Sequence, residues 1–475
     1  MLKVLLVAAE AVPFVKTGGL ADVMGSLPKA LRNLGIDARV IIPKYGDIPG
    51  QFKEEFERVA ELTVPVGWRN QYCGVEAYNC DGVPFYFIDN EYYFRRAGLY
   101  GYYDDGERFA FFSRAVPAIL PHIDFQPDVL HCHDWHAAMA IVMMGAHHRQ
   151  DPFYANIRTM FTVHNLKYQG VFAPEVLGEL LSLGPEYFTA ETLEFHGAVN
   201  YMKGGLVFAD AVTTVSPSYA MEIQSPWFGE QLDGILRKRQ NELHGILNGI
   251  DCELYNPATD PALFINYTWR SIKRKQRNKM KLQELLGLPV SESIPMVAIV
   301  SRLVEAKGLD LVTGVLDELL NLNVQLVILG TGDEKYEGMF RVAGHQRPNQ
   351  VSANIFFDET LARRIYAASD LFLMPSQFEP CGIGQLIAMR YGSLPVVRET
   401  GGLRDTVTPY DQTTGAGCGF RFTNYNSHDL LCTLEEAVAL YEQPEVWTKI
   451  AQQAMRQDFS WGQSATLYRD LYQTL

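Results

Sequence analysis

Short apolar runs alternate with helical patterns along the whole chain, and near residue 295 the alternation starts afresh. Residues 2–8 read as a strand. Residues 20–34 read as a helix, with Leu20, Val23, Met24, Leu27, Leu31 and Leu34 spaced for one face. Residues 40–42, 84–88, 129–131, 159–163 and 211–214 read as further strands, with helices near 107–119, 136–148, 196–208 and 217–223. The second series has strands at 297–300, 325–329, 354–356, 371–374 and 394–397, separated by helices near 308–320, 360–368 and 382–391. This rhythm is that of βαβ units and a mainly parallel sheet, so the chain is expected to be α/β, with two doubly wound domains. Gly, Asn, Asp and Pro cluster in ILNGIDCELYNPA, which places the break at 246–258 between domains 1–245 and 259–455.

The length of 475 residues agrees with two domains, because single cores rarely exceed ~250–300 residues. The formal charge of -14 argues against a nucleic-acid partner, which needs a basic field. Seven Cys without a CxxC pair argue against a disulfide scaffold and fit a reducing, cytoplasmic compartment. The apolar start is interrupted by Glu10 and runs into a Gly turn, so it reads as a buried first strand and not a signal peptide. No uncharged stretch reaches the ~20 residues that span a membrane. The basic run at 270–281, RSIKRKQRNKMK, reads as a solvated helix face. Near the end, Trp461, Ala465, Tyr468 and Tyr472 form a helical stripe whose default meaning is packing.

Several segments carry chemistry. Lys16-Thr17-Gly18-Gly19-Leu20-Ala21-Asp22 lies between the first strand and the first helix, where a parallel sheet opens a crevice. Paired Gly lets backbone amides approach an anion, and Lys16 supplies full charge. A simple tight turn explains the segment equally well, and neither a dinucleotide fingerprint nor a P-loop is present. Ser301 to Gly308 follows the first strand of the second series, where Arg302 and Lys307 either converge on a diphosphate or are the two cations of an ordinary surface loop. Gly330 to Asp333 and Thr400-Gly401-Gly402 are Gly turns at strand ends. In Phe378 to Gly382, Glu379 either holds sugar hydroxyls or is a plain charge at a helix start, while Cys381 lacks a His–Asp partner and is not expected to be a nucleophile. The cluster His131 to His136, with His164-Asn165 downstream, invites a metal reading. Its spacing does not match a zinc site, and polar groups lining a sugar or nucleotide site are the stronger reading.

The ordered set KTGGLADV, HDWHAA, FTVHNLKYQG, LNGID, SRLVEAKGLD, FEPCG and TGGLRDTV, with DFSW near the end, resembles bacterial glycogen synthases and plant starch synthases over nearly the whole chain. The resemblance implies two Rossmann-like domains facing a deep interdomain cleft (GT-B type), with residues 456–475 as a helix crossing back to the N-terminal domain. It implies a retaining transfer of glucose from ADP-glucose to the non-reducing 4-OH of an α-1,4-glucan (glycogen or maltooligosaccharide), without cofactor or metal. A homo-oligomer is left open.

Carried onto this sequence, the resemblance places Lys16, Gly18, Gly19, Asp22, Arg302, Lys307 and Thr400 to Gly402 at the donor diphosphate. Phe357 would stack on adenine where relatives have Tyr. Asp134, His164, Asn248 and Glu379 belong to the sugar or acceptor site, and Lys16, His164, Arg302, Lys307 and Glu379 form the catalytic set. Two positions depart from the pattern. Gly384 stands where relatives carry a larger residue, and Ile387 stands where the wider superfamily has a second glutamate, which weakens a UDP- or GDP-sugar assignment.

Overall fold

A computed structural model describes residues 1–475 and divides the chain into two compact units, Met1–Gly249 with Trp461–Leu475, and Ile250–Ser460. The first unit is built on a nine-stranded sheet. From one edge its strands are Leu243–Gly245, Ala211–Thr214, Arg158–Val163, Val129–His133, Lys3–Val7, Asp37–Pro43, Val83–Asp89, Arg69–Cys80 and Glu57–Val66. The first seven are parallel and the last two antiparallel. Strands of the parallel part are covered on both faces, which is why Val4 to Val7 and Val129 to Cys132 are buried without alternation.

The antiparallel hairpin is absent from the expected βα rhythm. Its signal is period two, with Val64 and Val66 buried and Thr63 and Pro65 exposed, and the chain reverses at Gly67-Trp68. The stripe near the C-terminus lies on helix Trp461–Thr474, which packs against helix Gly19–Asn33. Trp461, Ala465, Tyr468 and Tyr472 are all buried, and the Tyr472 hydroxyl lies 2.7 Å from His131 Nδ1 in the middle of the sheet.

The second unit is a six-stranded parallel sheet in the order Val351–Asn354, Gln325–Leu329, Met296–Val300, Leu371–Met374, Leu394–Arg398 and Phe420–Phe422. The strand order reverses between Met296–Val300 and Leu371–Met374. In the first unit it reverses between Lys3–Val7 and Val129–His133. Ligands of such sheets bind beyond the carboxyl ends of the strands at these reversals.

Several expected elements change. The strand expected at 354–356 is Val351–Asn354, because the chain leaves the sheet before Phe356. The helix expected at 308–320 is two short helices, Leu309–Gly314 and Leu316–Asn321, broken at Val315. The helix expected at 196–208 begins only at Tyr201, since Ala198–Asn200 is a strand and the Asn200 side chain caps the helix by accepting the Lys203 N–H. The α-helix near 136–148 is Trp135–Met143, continued by a π-helical turn to His148.

In the basic run Arg270, Lys273, Arg274, Arg277 and Lys281 are exposed, as a solvated face requires, but two of its lysines are not. Lys275 and Lys279 are buried where helix Lys275–Leu286 packs on helix Glu359–Ala368. Lys279 pairs with Asp370 at 2.6 Å. Lys275 Nζ donates to the carbonyls of Tyr366 and Ala367, capping the last turn of its neighbour, and burial pulls its ammonium down to about 7.

Candidate active site

In the second unit four loops leave the carboxyl ends of parallel strands and lie against one another. The Leu303 N–H donates to the Thr331 carbonyl, Asp333 N–H to Leu303, Gln377 N–H to Ala306, and Gly402 N–H to Glu379. Such close backbone contact excludes side chains. A Cβ on Gly308, whose φ is +69°, would lie 1.9 Å from the Pro375 carbonyl oxygen, and one on Gly402 would lie 2.1 Å from that of Cys381. Gly308 lets the loop Ser301 to Gly308 meet the loop Pro375 to Gly382, and Gly402 lets the turn that carries it approach the same loop at Cys381.

The meeting brings Lys307 Nζ to 2.6 Å from Glu379 Oε2. Glu379 is 7% exposed and also accepts the Ser376 hydroxyl at 2.9 Å. Arg302 stays exposed and joins no ion pair. Glu379 is therefore not a helix-start charge. The next helix begins at Gly384, so neither Glu379 nor the buried Cys381 lies in its first turn. Thr400 is buried beside helix Gly401–Thr406. Phe357 is 82% exposed just beyond the carboxyl end of Val351–Asn354. Gly384 abuts Phe372, whose ring a larger residue would displace, and Ile387 is buried. Ser376 and Gln385 are site residues that the sequence reading missed. Gln385 is fully buried and its amide donates to Cys381 and Gly382 carbonyls and to Thr406 Oγ1, tying two of the loops together.

In the first unit the KTGG loop folds around Glu10, a residue that the sequence shows only as a break in an apolar run. Glu10 is buried and accepts both the N–H and the hydroxyl of Thr17, at 2.6 and 2.7 Å, and burial raises its carboxyl. Lys16 is half exposed and pairs with Asp22 at 2.7 Å. Gly18 is extended and Gly19 begins the helix. Asn248 is buried, and its Oδ1 has no hydrogen-bond partner.

On the other side of the strand-order reversal, Asp134 adopts φ 56° and ψ 176°, a region almost reserved for glycine that costs ~1–3 kcal/mol. Its Oδ1 accepts the His164 N–H at 2.7 Å, which fixes one loop against the next. Desolvation raises the Asp134 carboxyl to about 7, and burial lowers the His164 imidazole to about 3. No group of three or more His, Cys, Asp or Glu side chains is placed to hold a metal ion. The same unit carries a groove of about 460 Å³ lined by Tyr102, Trp135, Tyr168 and Phe172, with Asp105 and Gln169 among its polar groups.

The raised carboxyl has a stability consequence. An unfolded Asp titrates near ~3.9, so between about 4 and 7 the folded state holds more protons and stability falls as pH rises. Asp134→Asn cannot ionise, and its Oδ1 still accepts the His164 N–H. The variant is expected to melt above the wild type at pH 8, with the gain shrinking to nothing by pH 4. Melting temperatures across that range check it; an offset independent of pH would contradict the burial of a neutral carboxyl.

Comparison with known proteins agrees over the whole chain. Residues 3–238 match the family described as starch synthase catalytic domain, and residues 288–454 match glycosyl transferases group 1. The chain is 56% identical to a glycogen synthase of Desulforamulus reducens, over 100% of this chain and 99% of that one. It is also 56% identical to one of Clostridium acetobutylicum, over 100% of both. Its fold is similar to the catalytic domain of starch synthase IV from Arabidopsis thaliana bound to ADP and acarbose, with TM-score 0.93, 34% identity, and coverage of 100% of this chain and 99% of that one. A sucrose-phosphate synthase from Thermosynechococcus elongatus, 17% identical with TM-score 0.61 over 100% of both chains, shares the fold alone. No helix is long and apolar enough to cross a membrane. With its two Rossmann-like units of GT-B type, the chain belongs to the glycogen and starch synthase family of glycosyltransferases.

Proposed function

We propose that this chain is a glycogen synthase that transfers glucose from ADP-glucose to the non-reducing 4-OH of an α-1,4-glucan, with retention of configuration. The observation that carries the reading is the cradle of the second unit. An exposed Arg302, a part-buried Lys307 and a buried Glu379 stand at the strand-order reversal, where a nucleotide sugar binds such sheets. The second unit is the nucleotide-sugar side and the first unit the acceptor side. The aromatic groove beside Trp135 suits the apolar faces of a glucan.

Breaking the anomeric bond puts negative charge on the leaving diphosphate. Arg302 and Lys307 stabilise that charge, with Lys16 as a further cation and the backbone of Gly18, Gly19 and Thr400 to Gly402 facing the phosphates. Asp22, paired with Lys16, orients it. Glu379 holds donor-sugar hydroxyls, and His164, Asn248 and Asp134 complete the sugar site. Lys307 and Ser376 both engage Oε2 of Glu379, which leaves Oε1 for a sugar hydroxyl, and we propose a route without a carboxylate nucleophile. The acceptor then attacks on the face that the diphosphate leaves, and a phosphate oxygen takes the acceptor proton.

The test is a panel of ADP-, UDP- and GDP-glucose with glycogen, following diphosphate release and chain extension. ADP-glucose is expected to have the highest kcat/KM. Phe357→Ala is expected to narrow its lead over UDP-glucose, because stacking on the exposed ring contributes ~1–3 kcal/mol and a purine covers more of it. A kcat/KM for UDP-glucose equal to or above that for ADP-glucose would refute the donor assignment.

A further inference from the structure

His133 ends the strand Val129–His133, and His164 follows the adjacent parallel strand Arg158–Val163. His133 is fully buried, and its Nδ1 lies 2.9 Å from His164 Nε2. Two imidazoles joined this way share one hydrogen, and the rest of the surroundings decides which ring carries it. His133 Nε2 is buried without a partner. If His133 accepted at Nδ1, its own hydrogen would sit on Nε2, and a buried N–H would be left unsatisfied. With the hydrogen on Nδ1, the orphan is only a lone pair, and unpaired buried N–H groups are the rarer defect in proteins. A doubly protonated His133 is opposed by its burial and by the His131 ring, whose centroid is 4.0 Å away.

We infer that His133 is a positioning residue whose Nδ1–H donates to His164 Nε2, holding His164 as the tautomer with its hydrogen on Nδ1. His164 Nδ1 has no protein partner. The ring therefore offers an N–H donor on its open side, and the nitrogen that would take a proton is already occupied. Burial keeps both rings neutral at working pH, in accord with this arrangement. Resting on the proposed reading that His164 lies at the donor sugar, the consequence is that His164 binds a sugar hydroxyl through its oxygen and takes no part as a base. The contribution of His133 to turnover is the orientation of that donor.

Long-range proton–nitrogen correlation spectra of ¹⁵N-labelled protein read the tautomer directly, with His133→Asn and His164→Asn assigning the signals. Wild-type His164 is expected to show a protonated Nδ1 and a bare Nε2; the opposite pattern overturns the inference. In kinetics, His133→Leu removes the donor, whereas His133→Asn returns an amide N–H near the same place. His133→Leu is expected to lower kcat roughly fivefold to tenfold, the scale of one lost hydrogen bond, with the glycogen KM unchanged and most of the loss restored in His133→Asn. Equal defects in two folded variants, or none in His133→Leu, would also overturn it. If the leucine variant does not fold, the wild-type spectrum still decides. Absence of transfer from all three donors by the wild type would defeat the glycogen synthase reading, while the tautomer would still be read from the spectrum.

Discussion

Lys307→Ala and Arg302→Ala are both expected to lower kcat by roughly 10²–10³-fold with much smaller changes in the ADP-glucose KM, and to differ from each other in stability. The shared kinetic effect follows from timing. Charge on the leaving diphosphate is largest in the transition state, so a cation aimed at it stabilises that state more than bound substrate. The glycogen KM is expected to stay near wild type for both. The difference comes from their surroundings. From sequence alone both are loop cations whose loss leaves the fold unaffected. Arg302 fits that expectation, being exposed and outside any ion pair. Lys307 does not, because its ammonium lies 2.6 Å from a Glu379 carboxylate that is 7% exposed. Truncating Lys307 strands a buried carboxylate and costs ~1–3 kcal/mol. Thermal melts with steady-state kinetics separate the cases: Arg302→Ala melts like the wild type and Lys307→Ala several degrees lower. Near wild-type kcat in both variants would end the case for a diphosphate clamp.

Gly308→Ala is expected to lower both the melting temperature and the transfer rate, with at least a tenfold loss of kcat. Two terms act here. The residue has φ +69°, which an L side chain tolerates poorly, and its new Cβ would meet the Pro375 carbonyl oxygen at 1.9 Å. A backbone atom cannot swing aside as a side-chain tip does, so the two loops must part. Overpacking of this kind costs ~1–3 kcal/mol beyond the dihedral term. The parting also moves Lys307 away from Glu379. Gly287→Ala is the control. It has a nearly identical φ of +70° but open space around its Cβ. Melting curves and initial rates of the two variants isolate the clash. Equal losses in both would mean that the loop contact contributes nothing.

The parallel cores were legible because their strands are short unbroken apolar runs between helical patterns, as at Lys3–Val7 and Gln325–Leu329. The hairpin Glu57–Cys80 leaves a weak sequence signal, because its alternation is broken by charge on both faces, as at Glu57, Arg58 and Glu61. Among the site residues, loop cations announced themselves by charge beside Gly. Glu10, Ser376 and Gln385 did not, because each acts by hydrogen-bonding to backbone or neighbours that only the fold brings near. Lys275 and Lys279 looked like solvent-facing charges, since nothing in a linear run reveals that helix-end carbonyls and Asp370 wait for them.

The helix Trp461–Thr474 fills its place in the first unit only after all of Ile250–Ser460 has been made. During synthesis, the groove that accepts Trp461, Ala465, Tyr468 and Tyr472 must therefore wait, apolar and open, while some two hundred further residues leave the ribosome. A nascent chain of this kind is most exposed to misassociation in that interval, and a premature stop near residue 460 would leave the His131 imidazole at the centre of the first sheet without the Tyr472 hydroxyl it meets.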